Sequence, residues 1–161
     1  MIRRVVTFPD PVLKRRCEPV PLARALALAE DLVDTMRAHP GCVGLAAPQV
    51  GEPVRVAVVD VAGHRLATAA GGLLVLIDPE ITGREGGAVA REGCLSLPDI
   101  TADVARAERI TLLPRPGGPA LWAQGFEARA LQHEIDHLDG VLILDRVTSV
   151  HALHPRRVRL E

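Results

Sequence analysis

The segment Gln132-His133-Glu134-Ile135-Asp136-His137 carries the most specific pattern in the chain, and the fold is expected to be built around it. Its two histidines are four residues apart. On an α-helix this spacing places both imidazoles on one face, where they can bind a single metal ion. Glu134, next to the first histidine, can then take a proton from a metal-bound water. This His-Glu-x-x-His pattern is typical of metal-dependent hydrolases, although a solvated helix face can also carry it by chance.

A site with two histidines needs a third protein ligand, and a catalytic site keeps a further position open for water. The candidate is Cys94, in the segment Arg91-Glu92-Gly93-Cys94-Leu95-Ser96-Leu97-Pro98. Gly93 allows close approach of the backbone, and Pro98 limits the stretch to an edge strand or a loop. The alternative for Cys94 is a buried, inert thiol.

A third segment, Gly44-Leu45-Ala46-Ala47-Pro48-Gln49-Val50-Gly51, is bounded by glycines and carries no charge. Its one side-chain hydrogen-bonding group is the Gln49 amide. This composition is unfavourable for a solvated loop, and it suits a segment whose backbone lies against a ligand.

Taken together and in this order, Gly44–Gly51, Glu92–Pro98 and Gln132–Gly140 resemble the three signature motifs of the peptide deformylases. The resemblance extends from about Phe8 to Arg146, and each motif matches with almost no departure. It implies an enzyme that removes the formyl group from the N-terminal formylmethionine of nascent peptides and releases formate.

The resemblance implies that Cys94, His133 and His137 bind one divalent metal ion, usually Fe(II) in the cell, with Zn, Ni or Co also able to occupy the site. A metal-bound water would give hydroxide near neutral pH, and Glu134 would serve first as general base and then as general acid. Ligand softness admits zinc and Fe(II) equally, so the sequence does not choose the metal.

The same resemblance places two donors at the oxyanion of the tetrahedral intermediate, the Gln49 side-chain amide and the Leu95 backbone N–H. Gln49 could instead satisfy the backbone of its own loop. The backbone near Val43, Gly44 and Gly93 is expected to hold the substrate main chain as an added strand. The pocket for the methionine side chain is expected to be lined by Val43, Ala90, Phe126, Arg129 (through its stem) and Ala130.

Other polar residues near the motifs allow structural or functional interpretations. Glu92 and Arg106 are either a surface pair or, by the resemblance, a buried pair that steadies the metal site. Asp136 and Asp139 are expected to be solvated or capping carboxylates. Surface positions without ligand spacing are expected for the other histidines, His39, His64, His151 and His154.

Two features depart from the family pattern. Many members carry an arginine three residues past the proline of Cys-Leu-Ser-x-Pro, thought to grip the substrate backbone, and here that position is Thr101. Its neighbours Ile100 and Ala102 offer no replacement charge, so the grip beyond the first substrate residue is expected to be weaker or different. Pro155 interrupts a short C-terminal tail, so the long terminal helix of many bacterial members is not expected.

Composition predicts a single domain over residues 1–161, with a formal net charge of -1 that gives no general argument for nucleic acid or membrane binding. No signal peptide or membrane-spanning run is evident, and a reducing cytoplasm is expected. Cys17 and Cys42 are expected to be buried small hydrophobes rather than a disulfide. The basic segments Lys14–Arg16 and Arg156–Arg159 could contact ribosomal RNA or simply keep the surface soluble.

The order of elements predicts an α+β fold, with antiparallel or mixed β-sheets that enclose a central metal-binding helix. An amphipathic helix is predicted from Leu22 to Ala38, with a buried face formed by Leu22, Leu26, Ala29, Val33 and Met36. The metal-binding helix is predicted from Gly125 or Phe126 to Leu138. Strands are predicted at Val54–Asp60, Leu73–Asp78, Ala88–Arg91, Val104–Leu113 and Ala120–Ala123.

Two alternatives to the deformylase hypothesis remain open. One is a related metal-dependent amidase that acts on another small N-formyl or N-acyl amine, an option that Thr101 keeps open. The other is a metal-binding or ribosome-associated module without activity. Glu134 and Gln49 argue against the second alternative, because metal binding alone requires neither residue.

Overall fold

The computed structural model describes residues 1–156 and confirms the predicted α+β class. Helices α1, α2 and α3 span Leu22–Arg37, Gly125–Leu138 and Ile143–Arg146, and single 3-10 turns lie at Pro11–Lys14, Ala47–Val50 and Val150–Ala152. Strands β1 to β9 span Gly44–Ala46, Val56–Val59, Leu74–Ile77, Glu80–Glu85, Ala88–Cys94, Leu97–Arg106, Arg109–Leu113, Leu121–Gln124 and Leu153–Pro155.

The strands form three antiparallel sheets in the described part of the chain, with the orders β1-β2-β3, β4-β7-β8 and β5-β6-β9. Strands β1 and β5 are therefore edge strands of two different sheets. None of the helices within residues 1–156 is long and apolar enough to cross a membrane.

Helix α1 lies where the apolar spacing predicts it, but the predicted face is only partly right, since Ala29 and Met36 are buried while the two leucines are not. Leu22 and Leu26 are about half exposed, at 53% and 50%. The residues that pack inward are Ala25, Leu28, Ala29, Leu32, Thr35 and Met36. The helix carries alanine or leucine on nearly every side, so the spacing of apolar residues fits more than one face and does not choose between them.

The predicted strand Val104–Leu113 is in fact two strands, because the chain turns at Ala107 and Glu108. The side chain of Gln132 on α2 stabilises this turn, since it accepts a hydrogen bond from the N–H of Ala107 and donates one to its C=O. Strand β4 was not predicted at all, because its sequence is polar and it is largely exposed.

Helix α2 is held in the core by one apolar face. Ala128, Leu131, Ile135 and Leu138 pack with residues of β1, β2, β3, β7 and β8. The helix ends at Leu138, and Gly140 follows two residues later with a φ of +73° that favours glycine. A β-carbon at this position would also lie 2.6 Å from the carbonyl oxygen of Lys14. The end of α2 is therefore packed directly against the N-terminal turn.

The N-terminal segment connects two of the sequence motifs to each other. The N–H of Val6 donates to the C=O of Gln49 at 2.8 Å, and the N–H of Phe8 donates to the C=O of Ser96 at 2.9 Å. These bonds fix the Gln49 loop and the turn after Cys94 relative to each other, beside the helix that carries His133.

Candidate metal centre

Cys94, His133 and His137 come together although they belong to separate motifs. Cys94 is the last residue of β5, and both histidines lie on one face of α2. One potential ligand atom from each residue lies within 4.8 Å of the others. The Sγ of Cys94 is 3.3 Å from Nε2 of His137. The fold thus gathers one sulfur and two ring nitrogens at a single buried point.

The charges of these groups favour a thiolate at Cys94. Burial alone would raise the pKa of the thiol, but His137 and His133 outweigh it and hold the pKa of Cys94 well below its ordinary value. Burial likewise acts to lower the pKa of His133, whereas Cys94 and Glu92 raise it well above its ordinary value. A divalent cation would take the place of the imidazolium proton beside the thiolate.

The donor set fits a transition-metal ion. A thiolate with two imidazoles suits zinc or Fe(II), and three protein ligands leave a position for water. Nδ1 of His133 donates to Oε2 of Glu92 at 2.9 Å, which leaves the other ring nitrogen for the centre. Nε2 of His137 faces Cys94, while its buried Nδ1 has no hydrogen-bond partner within residues 1–156.

Glu92 is the centre of a buried ionic network behind the ligands. It accepts hydrogen bonds from Arg106, from Arg129 at 2.8 Å and from His133. Burial would raise the pKa of Glu92, but the bonds from His133 and Arg106 bring it well below its usual range. The sequence left open whether Glu92 and Arg106 form a surface pair or a buried pair, and in the structure they form a buried pair.

The expectation that Asp136 is a solvated or capping carboxylate is wrong. Asp136 is buried on α2 and accepts hydrogen bonds from Arg106 and from Arg146. Its position between two arginines extends the Glu92 network toward α3. Sequence spacing could not reveal this role, because both arginines lie on other elements. Asp139, by contrast, is an exposed partner of Arg55.

The side chain of Glu134 lines the cavity at the candidate metal centre and, among residues 1–156, makes no hydrogen bond to the Glu92 network. The residue is buried, and its Oε2 has no hydrogen-bond partner in the described part of the chain. Burial raises the pKa of this carboxyl above its ordinary value, against the opposing effect of His133 and His137. A carboxylate with a raised pKa is suited both to accept a proton and to release it again.

The two ends of the Gln49 amide have different surroundings. Its Oε1 accepts a hydrogen bond from the N–H of Ala46 at 2.9 Å, which satisfies its own loop. Its Nε2 lies 3.5 Å from Sγ of Cys94 and 3.3 Å from Oγ of Ser96. The loop bond therefore fixes the orientation of the amide, and the NH₂ group is directed at the candidate metal site.

These groups lie at the base of an open cavity of about 390 Å³. Its lining includes most of the predicted site residues, namely Val43, Gly44, Gln49, Gly93, Cys94, Leu95, Phe126, Arg129, Ala130, His133 and Glu134. Ala90, which was expected in the methionine pocket, is instead exposed on β5 and lies outside this lining. The guanidinium of Arg129 is turned away to Glu92 and two backbone carbonyls, so its stem faces the cavity.

Cys42, His64 and Arg156 are among the lining residues that were not predicted there. The ring of His64 stacks on Phe126 with centroids 4.4 Å apart, which corrects the expectation of a plain surface histidine. Cys42 is a free thiol whose pKa burial raises to about 12. No spacing in the sequence relates these residues to the motifs, since the tertiary fold alone brings them to the cavity.

A buried thiolate with two imidazoles, a neighbouring carboxylate and an amide directed at the sulfur are the groups that a metal-dependent hydrolase uses. The family model for polypeptide deformylase matches residues 2–152. The chain belongs to this family.

Individual relatives agree with this assignment over nearly their whole length. The chain is 43% identical over 165 residues to the peptide deformylase of Acidobacterium capsulatum, covering 99% of this chain and 95% of that protein. The crystal structure of the Thermotoga maritima peptide deformylase has a TM-score of 0.80 and 38% identity, with 92% of this chain and 99% of that one covered. A Met-Ala-Ser-bound structure of the class I type b enzyme from Acinetobacter baumannii has a TM-score of 0.76 and 32% identity, with 91% and 99% covered.

Proposed function

We propose that this protein removes the formyl group from the N-terminal formylmethionine of nascent peptides and releases formate. The observation that carries the proposal is the buried Oε2 of Glu134, which has no hydrogen-bond partner among residues 1–156 and lies beside the cluster of Cys94, His133 and His137. A site that served metal binding alone would have no use for such a carboxylate. Membership of the deformylase family and the Met-Ala-Ser peptide bound by the Acinetobacter baumannii relative support the same substrate class.

In this proposal Cys94, His133 and His137 hold one divalent ion, Fe(II) in the cell, with Zn, Ni or Co able to replace it. These residues would hold an ion that, when bound, would supply Lewis-acid polarisation and lower the pKa of water toward neutral. The Glu92 network orients His133 and fixes which ring nitrogen faces the ion.

The remaining steps belong to side chains and backbone of the chain itself. Glu134 accepts the proton of the attacking water and then delivers it to the departing amine. The Gln49 amide and the Leu95 N–H donate to the oxyanion, and each donor of this kind typically contributes about 3 kcal/mol. The methionine side chain enters the cavity beside Phe126 and Ala130.

The substrate main chain is proposed to add as a strand between two sheets. Val43 and Gly44 lie at the start of β1, and Gly93 lies near the end of β5. Both strands are sheet edges, so each has a side whose N–H and C=O groups are available for pairing. An extended peptide between them would place its formyl group at the buried end, next to Cys94.

The chain is proposed to act as one domain over residues 1–161, with the metal-binding helix α2 enclosed by the sheets and the amphipathic helix α1 packed outside β1 and β2. Its proposed place is the cytoplasm, where nascent peptides leave the ribosome and thiols stay reduced. Contact with ribosomal RNA would use the exposed segment Lys14–Arg16. Of the other basic stretch considered, Arg156–Arg159, residues 157–159 lie outside the described residues.

A formate-release assay with anaerobically prepared protein tests the proposal. Formyl-Met-Ala-Ser should be hydrolysed far more efficiently than formyl amines that lack the peptide. Equal or better turnover of the small amines would favour the amidase alternative that Thr101 left open. Absence of formate release from all of these compounds, with metal bound, would overturn the proposed function.

A further inference from the structure

The last described residue, Arg156, is fixed in place by the sheet that carries Cys94. Strand β9 pairs with β6 so that His154 faces Thr101. The N–H of Arg156 itself donates to the C=O of Asp99 at 2.9 Å. The backbone of Arg156 is therefore held beside β6, and its side chain starts from a defined point of the sheet.

The guanidinium of Arg156 lies directly over Gly93. A β-carbon built at Gly93 would clash with Nη2 of Arg156 and would lie 3.7 Å from Cγ2 of Thr101. The guanidinium thus occupies the space that any larger residue at position 93 would fill, on the same face of the sheet as the Thr101 side chain. Gly93 is adjacent to Cys94, so this charge lies at the mouth of the candidate site.

Two of the other arginines that line the cavity, Arg91 and Arg129, are already engaged, whereas Arg65 lies on the loop between β2 and β3 and not on the sheet that carries Gly93. Arg129 is bound to Glu92 and to backbone carbonyls, and Arg91 lies 3.4 Å from Asp103. The carboxylates that line the cavity within the described residues are those of Glu92 and Glu134. Of these, Glu92 already accepts bonds from arginines and His133, and Glu134 faces the metal site. Arg156 is exposed and lines the same cavity.

We propose that Arg156 binds the substrate, donating from its guanidinium to a main-chain carbonyl oxygen of the residues that follow the formylmethionine. The inference rests on the proposed deformylase function and adds a specificity-determining residue to it. A peptide added along the Gly93 edge of β5 passes beneath the guanidinium, whose five N–H donors can reach a carbonyl in more than one register. Formylmethionine alone has no following residue and so offers no such carbonyl.

This assignment changes what Thr101 implies. From the sequence, the missing arginine at that position had no substitute, because its chain neighbours are uncharged. The fold supplies a positive charge from the residue that follows β9. His154 on β9 pairs with Thr101, and Arg156 comes two residues after His154. The side chain reaches back over Gly93 to the face from which an arginine at position 101 would project.

The test compares Arg156→Ala, Arg156→Lys and a control, Arg84→Ala, which removes an exposed arginine from β4 far along the chain. Each metal-loaded variant is assayed for kcat and KM on formyl-Met, formyl-Met-Ala-Ser and the C-terminally amidated form of that tripeptide. For Arg156→Ala we expect KM for both tripeptides to rise roughly 10-fold, as for loss of a charged hydrogen bond, with kcat and the values for formyl-Met little changed. Arg156→Lys should recover part of the loss, and Arg84→Ala should behave as wild type.

Three results would overturn the inference. An unchanged KM for the tripeptides in Arg156→Ala would remove Arg156 from substrate binding while leaving the proposed function intact. An effect confined to the free-acid tripeptide would mean that a terminal carboxylate, not a main-chain carbonyl, is bound. Failure of the wild-type protein itself to hydrolyse the tripeptides would overturn the proposed function and this inference together.

Discussion

The side chain of Glu134 packs against the α-carbon of Gly44. A β-carbon at position 44 would lie 2.6 Å from Oε1 of Glu134 and 2.8 Å from its Cγ, closer than side chains tolerate. Glu134 is buried and fixed on α2, so it could not move aside without shifting its carboxylate. Gly44 was singled out for contact of its backbone with a substrate. Its lack of a side chain also creates the space in which the proposed general base lies.

The first prediction is that Gly44→Ala lowers kcat by about 10- to 100-fold, part of what complete loss of a general base costs. The added methyl group displaces the Glu134 carboxylate, and overpacking of this kind typically destabilises a protein by about 1–3 kcal/mol. Formate release, bound metal and thermal unfolding are measured together. Gly87→Ala is the control, because a β-carbon there meets nothing within 4 Å. Wild-type kcat in Gly44→Ala would show that the carboxylate position is not critical.

The second prediction concerns Glu134 itself. Glu134→Gln should keep its metal while kcat falls by roughly 10²–10⁴-fold, because the amide retains the shape of the side chain but cannot accept the proton. Metal content and kcat are measured on the same preparation. Glu30→Gln, an exposed position on α1, is the control for loss of one negative charge. If activity and metal disappear in proportion, Glu134 is better regarded as a residue that supports metal binding.

The third prediction is that Cys94 binds the metal as a thiolate. Cobalt-substituted protein should have a thiolate-to-metal charge-transfer band that is lost in Cys94→Ser. The band should persist in Cys17→Ser, because Cys17 lies outside the lining of the cavity that holds Cys94. Persistence of the band in Cys94→Ser would instead point to Cys42, which also lines the cavity.

The sequence predicted those parts of the molecule that depend on short-range spacing. The helix that carries His133 and His137 could be placed from its apolar residues and the glycine beyond its end, and the α+β class followed from the order of elements. The spacing of apolar residues failed to predict the buried side of α1, because alanine and leucine surround this helix and several faces fit equally well. It also failed where a polar sequence such as β4 becomes a strand through pairing with β7.

Relationships between distant elements were beyond the reach of the sequence. The burial of Asp136 depends on Arg106, which is 30 residues away in the chain. The position of Arg156 over Gly93 depends on the pairing of β9 with β6, and no motif in the sequence predicts that pairing. The sequence did indicate that the arginine of many family members is missing at position 101, where this chain has Thr101. What replaces the arginine there could be inferred only when the strands were assembled.

The last prediction tests whether an arginine at position 101 can replace Arg156 in binding the substrate main chain. In the Arg156→Ala background, Thr101→Arg should bring KM for formyl-Met-Ala-Ser back toward the wild-type value, because Thr101 shares the face of the sheet over Gly93. Introduced alone, Thr101→Arg should lower that KM less, since Arg156 already occupies the space and repels a second positive charge. KM for formyl-Met and kcat for both substrates should change little in either background, because the metal site and Glu134 lie elsewhere. Thr82→Arg, at an exposed threonine of β4, is the matched control and should restore nothing. Restoration by Thr82→Arg as well would mean that added positive charge, rather than a guanidinium over Gly93, improves peptide binding.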